Sequence, residues 1–436
     1  MSTILLCVGQ CGNQLASQFF KCIDLNETTQ SSYEFKHYDG KFRSINLDSE
    51  TKVINSLKNN YGRKLREENL IFTKCGRSSN WSCGYNGLSK DGSLSLIEDS
   101  LESIRKESEK CDFLLSFNMM HSLSGGTGSG CGSRLIEHIR DAYGWKKYLY
   151  TCSVAPFRNG ELPLQHYNNL LCMSHLHDFA DVITLFQNDD IYQMIEKFHQ
   201  KSELKESNVT LNEINSYIIQ TIISTIYPVD NISLKSQSIG MELLELKNQL
   251  CSNNNTKIVE LFSLFERSKS HFSNKISSGT GSSVNPIMKE LSSFIKKQNP
   301  KKHYSTLNSI MILRGDDLVN SLGLFQRAEN DIKNILNCVK WNPYVVDYWT
   351  SKKGLTTTLS SNSAKSNSGA LASITFALNR NYCVDYLEEI KNKSLQKYKV
   401  GAYLHWYEKH QVDKSFFEHA FENIEFVIDS YNKMTI

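Results

Sequence analysis

Apolar positions along the chain come in blocks, and the spacing within the blocks changes from one stretch to the next. In the first half, short apolar runs that read as buried strands are each followed by a turn. Thr3-Ile-Leu-Leu-Cys-Val8 is the first, followed by Gly9-Gln-Cys-Gly-Asn-Gln14 and an apolar helix through Phe20. Phe113 to Met120 (FLLSFNMM) is another. After its glycine-rich turn, Leu135, Ile136 and Ile139 share one face of a helix through Ser133 to Arg140. Tyr148 to Ala155 is a third strand, completing a right-handed βαβ unit, and Val182 to Phe186 is a fourth. From Leu211 the helical period takes over. Ile214, Ile218, Ile222 and Ile226 are spaced by four, Ile219 and Ile223 widen the stripe, and Pro228 follows its last turn. Phe417, Ala420, Phe421, Ile424, Val427, Ile428 and Tyr431 make a second helical stripe, which reads as core.

Composition narrows the picture. A chain of 436 residues, 40% hydrophobic and 22% charged, suits an ordinary globular protein of two or three domains. A net charge of +3 is too small to make nucleic acid or an anionic membrane the main partner, so neither is expected. Apolar runs fall short of the ~20 residues of a membrane span, and Leu5 to Val8 is too short for a signal peptide. The 12 cysteines stand singly with no Cys-x-x-Cys pair, which suits reduced thiols in the cytoplasm better than disulfides or zinc. His175 and His177, two apart, would face different ways on a helix and make a poor metal pair. The loop-like segments are Ser252 to Thr256, Ser277 to Asn285 and Ser360 to Gly369.

Candidate chemistry centres on Ser122-Leu-Ser-Gly-Gly-Thr-Gly-Ser-Gly130, between a strand and a helix. Glycines let backbone approach an anion, and the N–H groups of a helix start direct partial positive charge at it. Thr127 and Ser129 add hydroxyl donors. The ligand that suits this arrangement is a phosphate. The stretch lacks the Gly-Lys-Ser/Thr ending of the lysine-bearing phosphate loop, and its glycine spacing is not the dinucleotide fingerprint. Ser124 to Gly130 instead matches the pattern Ser/Ala/Gly-Gly-Gly-Thr-Gly-Ser/Ala-Gly throughout. In this the chain resembles the tubulin superfamily. Gly9 to Gln14 is similar, residue for residue, to that family's first nucleotide loop.

The resemblance implies a site, residue by residue. Gly9 and Gln10 would face the phosphates and metal-bound water, with Cys11 and Asn13 near the guanine. Asp48 and Glu50, in a segment like the family's strand-end Asp-x-Glu, would hold Mg²⁺ through its waters. Asn80, in Asn80-Trp-Ser-Cys-Gly-Tyr85, would approach the γ-phosphate, with Cys83 where a basic residue is usual. Ser122, Gly125, Gly126, Thr127 and Gly128 would cradle the phosphates. In Pro156 to Gln165, Glu161 would lie near the ribose, and Gln165 replaces a second acid. Asn188 and Asn215 would read the guanine edge, and Leu211 stands where an aromatic residue usually stacks on the base. Glu245, after Gly240, would act on the nucleotide of a neighbouring subunit, although the family's asparagine there is missing.

The same resemblance implies an α/β fold: a Rossmann-like parallel-sheet GTP domain (1–205), a central helix with a smaller α/β domain (206–365), and a helical carboxy-terminal region (366–436). A short stretch from Lys21 to Lys41, Leu162 to Leu171, and an ending at Ile436 without a glutamate-rich tail look most like the delta/zeta group. The implied protein binds GTP or GDP with Mg²⁺ and docks head-to-tail with other tubulins, alpha/beta or epsilon-type. Its expected place is the cytoskeleton of the cytoplasm, at centrioles or basal bodies with their proteins, stabilising triplet microtubules. The competing readings are a conventional GTPase lattice subunit and an unrelated nucleotide-using enzyme. GTP hydrolysis is expected only across an interface with another subunit.

Overall fold

A computed structural model of the chain describes residues 2–26, 34–73, 76, 79–87, 95–160, 162–201, 208–233, 236–237, 242–265, 284–298, 302–356 and 372–435. It divides into two compact units. The first takes in residues 1–20, 28–189 and 384–430, the second residues 21–27, 190–383 and 431–436.

The first unit is built on six strands: β1 (Ser2–Val8), β2 (Ser44–Asp48), β3 (Leu70–Phe72), β4 (Leu114–Ser122), β5 (Tyr148–Ala155) and β6 (Val182–Gln187). They pair in the order β3-β2-β1-β4-β5-β6, and each of these pairs is parallel. Strands covered on both faces read as continuous apolar runs, and Ile4 to Val8 are accordingly inaccessible to solvent. The helices between them are α1 (Gly9–Leu25), α2 (Thr51–Tyr61), α3 (Trp81–Asn86), α4 (Ser95–Glu109), α5 (Gly132–Tyr143), α6 (Gln165–Phe179) and α7 (Asn188–Lys201). Because all six strands run one way, the turns after β1, β2, β4, β5 and β6 leave from the same carboxyl edge of the sheet. Ligands of open α/β sheets are bound at that edge.

Helices Cys383–Lys399, Leu404–Glu408 and Lys414–Met434 follow the last strand. Of the stripe expected as core, Phe417, Ala420, Ile424, Val427, Ile428 and Tyr431 are buried and Phe421 is half-buried. Phe417 meets Tyr167 of α6 and Tyr407 edge-on, with ring centroids 5.0 and 5.2 Å apart. Asn423 donates to the Ser174 carbonyl and to Asp178, which anchors the long helix to α6.

In the second unit, α8 (Leu211–Ile226) starts with a full capping box. Thr210 accepts from the Glu213 amide, and the Glu213 carboxylate accepts from Thr210. The strands are β7 (Asn231–Ser233), β8 (Ser236–Gln237), β9 (Ile258–Phe265), β10 (Thr306–Arg314), β11 (Val346–Ser351) and β12 (Ser373–Arg380). Their order is β9-β12-β10-β11-β7-β8, mixed in direction, with β10 and β11 parallel and the other described pairs antiparallel. Arg314 ends β10 fully buried. It donates to the Ser224, Tyr227 and Pro228 carbonyls at the end of α8, satisfying acceptors a helix terminus leaves open. Burial lowers its pKa to about 10, so it stays charged at neutral pH and complements the helix dipole. Among the described residues, no helix is long and apolar enough to cross a membrane.

Candidate functional site

Two glycine turns touch at the carboxyl edge. Gly9 begins α1 with φ +72°, a conformation L side chains rarely adopt, and a Cβ there would lie 2.9 Å from the Gly128 nitrogen. The stretch after β4 is not an open loop. Gly126 to Cys131 forms one wide π-helical turn that runs directly into α5. Such turns recur at functional sites. Ser122 stands at its root, and a Cβ on Gly128 would meet the Ser122 hydroxyl oxygen at 2.9 Å. Helix α3 lies against the turn backbone to backbone. Added Cβ atoms on Gly84 and Gly130 would sit 2.1 Å from the Gly126 carbonyl oxygen and 2.2 Å from that of Trp81. The glycines thus serve close packing as well as an approaching ligand.

The carboxylates arrive at the same place. Asp48 ends β2 almost wholly buried, and its Oδ2 lacks a hydrogen-bond partner. Burial raises its pKa to about 6, backbone N–H groups of Ser49 and Glu50 oppose the rise, and the Glu50 charge adds to it. Glu50 is exposed and precedes α2. Between them, the Ser49 hydroxyl lies 2.5 Å from that of Thr127, joining the acidic segment to the glycine turn. A destabilised buried carboxylate with an open oxygen fits a cation. Among the described residues, no group of three or more His, Cys, Asp or Glu side chains could hold one alone. Magnesium, which keeps much of its water and shares phosphate oxygens, needs no such cage.

Other expected residues fall into two sets. Gln10 is exposed and Cys11 half-buried on the first turn of α1, with burial raising the Cys11 thiol to about 12. Asn188 opens α7, and its Oδ1 is buried without a hydrogen-bond partner. An open acceptor at the carboxyl end of β6 fits a donor on a base edge. Leu211 and Asn215 lie on α8 of the second unit, the former 62% exposed and the latter buried. Glu161 lies outside the described residues, as do Gly240, Met241 and the loop-like stretch Ser277 to Ser283.

In the second set, the side chains are engaged by the chain itself. Asn13 is fully buried. Its amide donates to the Gly9 and Leu47 carbonyls at 2.9 and 3.0 Å and accepts from Asn46. Asn80 caps α3, accepting from the Ser82 amide and hydroxyl and donating to the Trp406 carbonyl. Gln165, buried at the start of α6, donates to the Phe157 carbonyl. On α9 (Glu242–Leu250) of the second unit, Glu242 is buried and accepts from the Val229 amide, whereas Glu245 is half-buried.

The structure also adds residues that sequence reasoning passed over. His121, fully buried on β4, contacts the Gly128 carbonyl through Nδ1 (3.1 Å) and the Ser153 hydroxyl through Nε2 (2.9 Å). Burial lowers its pKa to about 4, so a neutral imidazole backs the turn at pH 7. Ser49 and Asn168 likewise join segments far apart in sequence. No local pattern marks them; a polar residue inside an apolar strand, as His121 is, was the one available signal.

Taken together, parallel strands, touching glycine turns, a helix amino end and an unsatisfied carboxylate define a nucleotide-binding α/β protein. Residues 2–196 match the sequence model of the family described as Tubulin/FtsZ family, GTPase domain. Tubulin delta chains of Homo sapiens, Macaca fascicularis and Canis lupus familiaris are each 24% identical to the chain over 478 aligned positions, covering 99% of both partners. The nucleomorph tubulin beta chain of Guillardia theta is 32% identical over 208 positions, covering 43% of this chain and 46% of its own. The chain thus carries a stretch that matches the Tubulin/FtsZ GTPase domain, and it is similar to tubulin delta chains along its whole length.

Proposed function

We propose that the chain binds GTP or GDP at the carboxyl edge of its parallel sheet and works as a delta-type tubulin. The observation that carries this reading is the meeting of the Gly9 turn, the Gly126–Cys131 turn and the Asp48–Glu50 segment at one place. Gly9, Gln10, Ser122, Gly125, Gly126, Thr127 and Gly128 would surround the phosphates, with Cys11 near the guanine. Asp48 and Glu50 would hold hydrated magnesium, which neutralises phosphate charge when bound. Asn188, Asn215 and Leu211 would receive the base, and Glu161 and Gln165 the ribose side. Asn13 and Asn80 would hold their loops in place through amides spent on the backbone.

End-on docking to other tubulins, alpha/beta or epsilon-type, would complete any hydrolytic site, with Glu245 the acid offered to the neighbouring nucleotide. Full-length likeness to delta chains supports a role at centrioles or basal bodies over that of an ordinary lattice subunit. The beta-chain likeness covers less than half of either partner. GTP turnover by purified chain, with and without alpha/beta-tubulin, tests the interface. Turnover that appears only with the partner, and is lost in Glu245→Ala, is the expected result. Equal turnover without a partner would overturn it.

A further inference from the structure

We propose that Asn168 is the positioning residue of the phosphate site, and that Tyr407 sets it in place. The inference rests on the reading of the glycine turn as a phosphate cradle. Asn168 lies on α6 with no exposure to solvent. An asparagine amide offers two N–H donors and two acceptor lone pairs, and here all four are used. Nδ2 donates to the Ser124 carbonyl at 2.7 Å and the Ser79 carbonyl at 2.8 Å. Oδ1 accepts from the Trp81 amide at 2.9 Å and the Tyr407 hydroxyl at 2.7 Å. One side chain therefore joins the root of the glycine turn, the loop before α3 and the Leu404–Glu408 helix.

The consequence for a ligand follows from peptide geometry. In a planar trans peptide the C=O and the following N–H point in opposite directions. Holding the Ser124 carbonyl toward α6 turns the Gly125 N–H away from α6. Holding the Ser79 carbonyl does the same for the Asn80 N–H. Ser79 has φ +51°, a conformation that costs energy outside glycine and persists only where its surroundings hold it. Asn168 thus pre-aims backbone donors without itself touching the nucleotide. Tyr407 contributes through one hydroxyl, since its ring is independently packed edge-on against Tyr167 and Phe417. The neighbouring Trp406 carbonyl accepts from Asn80, so the Leu404–Glu408 helix reaches both members of this linkage.

The test uses the full chain and a fluorescent GTP analogue in the presence of Mg²⁺. Readouts are nucleotide affinity, thermal unfolding, and hydrogen exchange of segments 79–87 and 122–131 without nucleotide. Tyr407→Phe is expected to weaken affinity several-fold, and Asn168→Ala about tenfold or more, with faster exchange in both segments. Tyr431→Phe is the control. Its hydroxyl accepts from the Ile258 amide and donates to Asn379, all within the second unit, so it should lower stability while leaving affinity unchanged. Unchanged affinity and exchange in Tyr407→Phe would overturn the inference, as would an equal affinity loss in Tyr431→Phe. If the unaltered chain binds no nucleotide, the phosphate reading itself fails, and that outcome is visible before any substitution is made.

Discussion

Asp48 is the residue at which structure and ligand are most directly opposed. Its carboxyl is buried, one oxygen is unsatisfied, and its pKa rises from 3.8 to about 6. The folded state therefore binds a proton more tightly than the unfolded chain. The cost of burying the charge is absent below about pH 4, grows between pH 4 and pH 6, and is full above pH 6. Asp48→Asn removes that cost, so at pH 7 the nucleotide-free variant should be more stable than the parent by at most about 3 kcal/mol. The advantage should vanish near pH 4, as read by urea unfolding across pH. The same variant should lose the extra stability that Mg²⁺ confers on the parent in the presence of GTP. No gain at neutral pH, with magnesium dependence intact, would remove Asp48 from the cation site.

Sequence alone located the loops better than it located the atoms within them. The glycine pattern from Ser124 to Gly130 was legible because only glycine allows backbone to pass that close to backbone, a demand written directly into residue type. Asn188 was expected directly after a strand, and it opens α7 there. Asn13, Asn80 and Gln165 show the other side. The resemblance assigned them to ligand-facing turns, yet hydrogen bonds to Leu47, Trp406 and Phe157 occupy their amides. Those partners lie in other segments, so spacing along the chain carries no trace of them. Ser49 with Thr127, 78 residues apart, and Asn168 with Tyr407, 239 apart, were hidden for the same reason.

Among the elements, the contact between α3 and the π-helical turn should be the least tolerant of change. In Gly130→Ala the new methyl would face the Trp81 carbonyl oxygen at 2.2 Å and the Gly84 Cα at 2.8 Å. Both are backbone, so neither can rotate away. The element itself would have to move, which should cost about 3 kcal/mol in chemical denaturation. Gly323, in the Leu322–Arg327 helix, has nothing within 4 Å of a would-be Cβ. Gly323→Ala should therefore stabilise by about 0.5–1 kcal/mol through helix propensity alone. Equal effects at the two positions would mean that α3 does not press on the turn.

Both helical stripes were legible for a different reason. The Ile214-to-Ile226 stripe is buried in α8, where Gln220, Thr221, Ser224 and Thr225 beside it are buried as well, and most of the Phe417-to-Tyr431 stripe forms a seam of buried side chains, because burial imposes the helical period on sequence. What periodicity could not give was the polar trimming of these helices. Arg314 closes the end of α8 from a strand 88 residues further on, and Asn423 reaches back to Ser174. Nothing in the local pattern of either residue sets it apart from a surface polar residue.

For the whole molecule, the delta-like alignment runs the full length of the chain, and the GTPase-domain match covers residues 2–196. The nucleotide loops belong to the first unit, while Leu211, Asn215 and Glu245 belong to the second. The most direct measurement is the nucleotide content of the gently purified full-length protein, determined by denaturing it and separating the released bases. Guanine nucleotide near one per chain, retained more firmly with Mg²⁺ than with a chelator, is the result expected. Recovery of no nucleotide, or of adenine nucleotide alone, would contradict the site while leaving the fold untouched.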